Sequence, residues 1–176
     1  MTSFWSWFFR GTGAGPGVRR YFDWWLVLHV FVGLLLSIVL PIPLETAGVS
    51  LLLPLAGVLV GLSFAWGGNV QALLQSQEIE NLVGYRAGGY EEYIFTFQAA
   101  ILLILCTLVA WGAAGIGIFD RVWPVCQDSY EYHAIVGLLF FLASLSLRDC
   151  WHIIIGSQAL LLMRFKIKQQ EKDKST

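Results

Sequence analysis

The chain predicts an all-α polytopic membrane protein, a four-transmembrane-helix bundle, and three observations point there. Apolar residues make up 57% of the 176 positions and charged ones only 13%, against about 45–50% and 25% in an average soluble domain. Four apolar stretches, roughly 24–40, 49–66, 94–118 and 134–165, fill most of the length. They hold 17 to 32 residues each, within or above the range of about 17–25 that a membrane-crossing helix needs. In lipid every backbone polar group must be satisfied within its own segment, which makes helices the natural form of all four. The flanks are short, so residues 1–176 are expected to form a single membrane domain.

The N-terminal segment 1–20 begins with Phe4, Trp5, Trp7, Phe8 and Phe9, followed by Arg10. Aromatic side chains at this density favour the headgroup layer, so an interfacial segment is expected. The glycine-rich run 11–17 reads as a flexible linker, because neither the strand nor the helix of a phosphate-binding βαβ unit flanks it. Arg19, Arg20 and Asp23 precede the first span, Trp24 and Trp25 anchor it, and Pro41 and Pro43 end it. In the second span Pro54 is tolerable in lipid. Gly57, Gly61 and Ala65 recur every four residues there, the small-xxx-small pattern that lets helix backbones approach closely.

Beyond Gly67 and Gly68 the composition changes. Over residues 69–84, Val70, Leu73, Leu74, Ile79, Leu82 and Val83 alternate with Gln71, Gln75, Gln77, Glu78, Glu80 and Asn81. That period predicts an amphipathic helix at or outside the membrane surface. Its polar face, with Gln71, Gln75, Glu78 and Glu80, is the expected surface for a cytoplasmic partner. The third span carries small residues at 112–115 and 117, suited to tight packing.

Orientation follows from the basic residues. Arg10, Arg19, Arg20, Arg86, Arg164 and all four lysines (Lys166, Lys168, Lys172, Lys174) fall on one side, and Arg121 on the other. The positive-inside rule then places both termini in the cytoplasm and the location at a plasma or bacterial inner membrane. Residues 166–176 read as a disordered, charged cytoplasmic tail.

The fourth span is unlike the others. Its 32 apolar-rich residues would make a helix of about 48 Å, longer than the bilayer is thick. It also contains Arg148, Asp149 and His152. Ser144, Arg148 and His152 are spaced four apart and share one face, while Asp149 points about 100° away. Ionisable groups at such depth need a partner, a bundle interior or water, and they commonly mark ion routes. Gln98, or Arg148 of a neighbouring copy, is the expected answer to Asp149. These residues are therefore the candidate polar path of an oligomeric ion channel or pore.

The order of elements is loosely similar to that of bestrophin-type channels, in which a membrane helix runs on into a cytoplasmic one. Ser63, Asn69 and Glu78 carry that likeness of layout, which identifies no family.

Other functions are weighed on the same residues. A membrane-anchored scaffold would dock a soluble cytoplasmic protein on the 69–84 helix or the lysine-rich tail. A b-type haem electron-transfer subunit would use His29 and His152 as axial ligands. No H-E-x-x-H or G-x-S-x-G motif occurs, so no enzyme activity is expected. Cys106, Cys126 and Cys150 have no metal-binding spacing, and no resident cofactor or metal is expected. Nothing in the charge pattern suits nucleic acid. The lipid bilayer and further copies of the chain are the expected partners.

Overall fold

The computed structural model describes residues 3–11, 17–40, 43–74, 89–121, 126 and 128–175, and among them every regular element is a helix. Helix α1 spans Phe4–Arg10, and a 3-10 turn covers Gly17–Tyr21. Helix α2 is Trp24–Val39, α3 is Leu44–Thr46, and α4 is Leu53–Leu74. Then come α5 at Gly89–Gly115, α6 at Ile118–Arg121 and the long α7 at Tyr130–Ser175.

Two of these helices contain stretches long and apolar enough to cross a bilayer, Ile94–Gly115 and Tyr130–Ala159. A third candidate is the bent pair Leu44–Ser50 and Leu53–Ala65, which turns through about 40°. Between α3 and α4 the backbone widens into a π-helical turn, Ala47–Leu52. Pro54 explains the widening: it has no N–H to give, and its ring crowds the carbonyl four residues back. Helix α2 is apolar, but its 16 residues extend only about 24 Å.

Helix α7 is the hub, touching α2, α4 and α5. Paired residues give the directions. Gly33 meets Gly137, His29 meets Ser144 and Asp23 meets Arg148, so α2 runs antiparallel to α7. Trp111 Nε1 donates to the Leu139 carbonyl at 3.1 Å, and Thr107 Oγ1 lies 2.7 Å from Ser146 Oγ, so α5 is also antiparallel to α7. Gly48 lies against Gly115 and Gly67 against Phe97, which makes α4 antiparallel to α5. The main core is one cluster of Leu44, Ala47, Leu52, Trp111, Ala114, Tyr132, Val136 and Leu139. Large apolar side chains face outward along α2, α4 and α7, as lipid allows.

Several expectations need correction. The helix of the second span does not stop at Gly67 and Gly68 but runs on through Leu74. Phe97 packs over Gly67, so that position keeps a helical neighbour rather than opening into a loop. The remainder of the expected 69–84 helix, with Gln75, Glu78 and Glu80, lies outside the described residues; Gln71 belongs to α4. Residues 166–175 are helical, not a disordered tail. They continue an unbroken helix with no proline, and are rich in Lys, Gln and Glu, all good helix formers.

The small-residue stripe of α4 also differs from expectation. Gly57, Gly61 and Ala65 are exposed, and a Cβ at either glycine would meet nothing within 4 Å. Close backbone approach occurs elsewhere. A Cβ on Gly33 would come within 2.6 Å of the Gly137 carbonyl oxygen, and one on Gly48 within 2.6 Å of Gly115 N.

Candidate functional site

The ionisable residues of α7 meet the start of α2 in one polar seam. Asp23 is the N-cap of α2, and its carboxylate accepts from the Leu26 N–H at 3.2 Å. That capping bond satisfies one of the orphan donors at a helix start. The same carboxylate takes both arms of the Arg148 guanidinium: Nη1 donates to Oδ1 at 3.1 Å and Nη2 to Oδ2 at 2.5 Å. The fork geometry matches two parallel oxygens, which a lysine could not reproduce. Arg148 beside Asp23 holds that carboxyl below its usual value of 3.8.

Asp149, 3% exposed, turns away from Arg148 as its helical phase requires. Its partner is the Tyr21 hydroxyl, which donates to Oδ2 at 2.7 Å. Burial first, and then the adjacent Asp149 charge, push the Tyr21 phenol above its ordinary 10.0. One turn up the seam, His29 Nδ1 lies 2.7 Å from Ser144 Oγ. The His29 Nε2 atom is buried, with no hydrogen-bond partner among the described residues. At the opposite edge Arg148 Nε donates to His152 Nε2 at 3.3 Å, and His152 is exposed.

The structure therefore brings the four candidate residues of the fourth span, Ser144, Arg148, Asp149 and His152, to one region and supplies three partners from the N-terminal part of the chain. Ser144 and Arg148 face α2, His152 faces outward, and Asp149 faces the 3-10 turn. The expected answer to Asp149 was Gln98 or a second copy; instead the partner is Tyr21 of the same chain, and Gln98 is exposed. Asp23 and Tyr21 lie 125 and 128 positions from their partners. Asp23 had one sequence signal: it is the acid in N-cap position at the charged end of an antiparallel neighbour. Tyr21 had none.

Depth can be read from the helix itself. From Tyr130 to Arg148 is about 27 Å of helix, and α2 extends a similar about 24 Å. Arg148 thus lies level with the start of α2, and its charge meets the Asp23 carboxylate there.

His29 and His152 are not brought together. Eight residues separate Ser144 from His152, about 12 Å of helix, and each histidine bonds at its own end of that interval. Axial haem ligation needs both rings facing one iron. Among the described residues no group of three or more His, Cys, Asp or Glu could hold a metal ion.

The fold and the seam define an all-helical bundle with two helices, or three with the bent pair, able to cross a membrane. No protein-family model, curated protein or solved structure matches the chain.

Proposed function

We propose that the chain is an integral membrane subunit with four crossings and both termini in the cytoplasm, and that copies assemble into an ion-conducting oligomer in a plasma or inner membrane. The observation that carries this reading is the outward edge of the polar seam. His152 is exposed and the Arg148 side chain is 16% exposed, inside the apolar stretch Tyr130–Ala159. Level with the start of α2, this edge is where water or another protein surface can reach the charges. The open Gly57, Gly61 and Ala65 face of α4 supports self-association, because small residues let a second helix approach. The alternating directions of α2, α4, α5 and α7 and the basic residues at one end support the topology.

The test is ion flux from liposomes holding the purified protein, with its oligomeric state measured in detergent. His152→Leu is the informative variant, since His152 is exposed and its loss leaves Asp23 and Arg148 paired. Flux that falls severalfold in His152→Leu supports conduction along this edge. A monomer, or an oligomer without flux, overturns it.

One observation favours a second reading, a membrane-anchored platform for a soluble partner. Helix α7 continues 16 residues past Ala159, an arm of about 24 Å ending in a lysine-rich segment. An oligomer that shows no flux, but loses a cytoplasmic partner when residues 166–176 are removed, would support it.

A further inference from the structure

The first 22 residues contain Arg10, Arg19 and Arg20 and no Asp or Glu. The first acid, Asp23, is occupied by Arg148. Arg20 lies over the Tyr21 ring, 5.8 Å from its centroid, beside the Asp149 charge. Arg10 and Arg19 are different: both are exposed, and among the described residues neither has a carboxylate within ion-pair distance.

Aromatic rings surround these two arginines in sequence and stand open. Trp5 is 55% exposed and Phe9 69%, stacked on each other, while Phe22, Trp24 and Trp25 are 73%, 84% and 59% exposed. The two segments that carry them form one body. Gly17 has φ +57°, and a Cβ there would fall 2.3 Å from the Trp7 carbonyl oxygen and 2.6 Å from that of Phe8. The 3-10 turn is therefore seated directly on the backbone of α1. Trp7, fully buried, fastens α1 to Phe95 and Ala99 of α5. The surface is fixed before any ligand arrives, so little ordering entropy opposes binding.

Exposed Trp and Phe beside guanidinium groups that no described carboxylate pairs suit the boundary between acyl chains and phosphates. The rings sit at headgroup level, and the guanidinium fork matches phosphodiester oxygens. We propose that α1 and the 3-10 turn dock anionic phospholipid headgroups, with Arg10 and Arg19 contacting the phosphates. The occupant is lipid rather than an acidic protein because the open rings continue without a break into Trp24 and Trp25, the first residues of the apolar helix α2. This inference is independent of whether the protein conducts ions.

The test uses the full chain in bilayers with spin-labelled phosphatidylglycerol or phosphatidylcholine. Wild type should favour phosphatidylglycerol severalfold at low salt, and lose much of that preference at high salt. Removing each arginine should lower that preference, so R10Q/R19Q should approach no preference, while R10K/R19K should keep most of it. Unchanged helix content in both variants would show that the fold is intact. Equal association of the two lipids with wild type overturns the proposal. So does a preference that survives R10Q/R19Q but disappears when Lys166, Lys168, Lys172 and Lys174 are changed to Gln. A wild type that captures polyglutamate in a phosphatidylcholine bilayer without preferring phosphatidylglycerol points to an acidic protein and also overturns it.

Discussion

The seam between α2 and α7 and the outer face of α4 look alike in sequence and differ completely in structure. Both carry small residues in an apolar helix. At the seam Gly33 brings α2 against the Gly137 carbonyl, and the polar residues below it are paired one by one. On α4, Gly57 and Gly61 have nothing beside them. A helix in lipid gains little from the hydrophobic effect on association, so close packing forms where polar pairs fix the register and a neighbour presents its own small residue. Gly137 is that neighbour for Gly33, and Gly115 is for Gly48. Among the described residues the α4 stripe has no counterpart.

The largest effect is expected from Arg148→Ala. It removes the cation from Asp23 and leaves His152 without its donor, so the melting midpoint in detergent should fall further than for any other change considered. Arg148→Lys should recover part of the loss, because a single ammonium cannot serve both oxygens. Equal midpoints for Arg148→Ala and wild type would remove the seam as the feature that holds α2.

Steric substitutions contrast the two glycine sets directly. Gly33→Ala and Gly48→Ala force backbone apart and should each cost about 1–3 kcal/mol. Gly57→Ala and Gly61→Ala should cost nothing in the monomer and gain up to about 1 kcal/mol of helix propensity. Gly57→Leu and Gly61→Leu should weaken self-association alone, as read by sedimentation in detergent. If all four alanine variants behave alike, the distinction fails.

Tyr21→Phe deletes one hydrogen bond to a buried carboxylate and should cost about 1.5 kcal/mol, seen as a lower midpoint with unchanged lipid preference. The smallest effects come from pH. Asp23 has its acidity raised by Arg148, so its stabilising contribution is present above 3.8 and is lost as pH falls through its lower folded value. Tyr21 is shifted upward, so its contribution is present below 10.0 and is lost as pH rises through its folded value. Asp23→Asn should flatten the acid limb relative to wild type.

The helical class and the apolar stretches were legible because the bilayer imposes length and composition on each segment separately. The shared face of Ser144, Arg148 and His152 was legible for the same reason, since helical phase is local. Partner choice was not. Asp23 and Tyr21 lie just outside the first apolar stretch, where a reading centred on spans treats them as flanks. The π-helical turn before Pro54 was visible only as a tolerated proline. Gly17 read as one more linker glycine, although its positive φ and its seat on α1 make it a fixed point.

The hub position of α7 bears on how the molecule is made. Almost everything that holds α2 belongs to α7, whose Arg148 is made 125 positions after Asp23. Until then Asp23 and His29 wait without Arg148 and Ser144, and the nascent chain has no way to close. An unfinished intermediate therefore persists until α7 is made, and premature termination before Arg148 should yield a product that quality-control proteases remove.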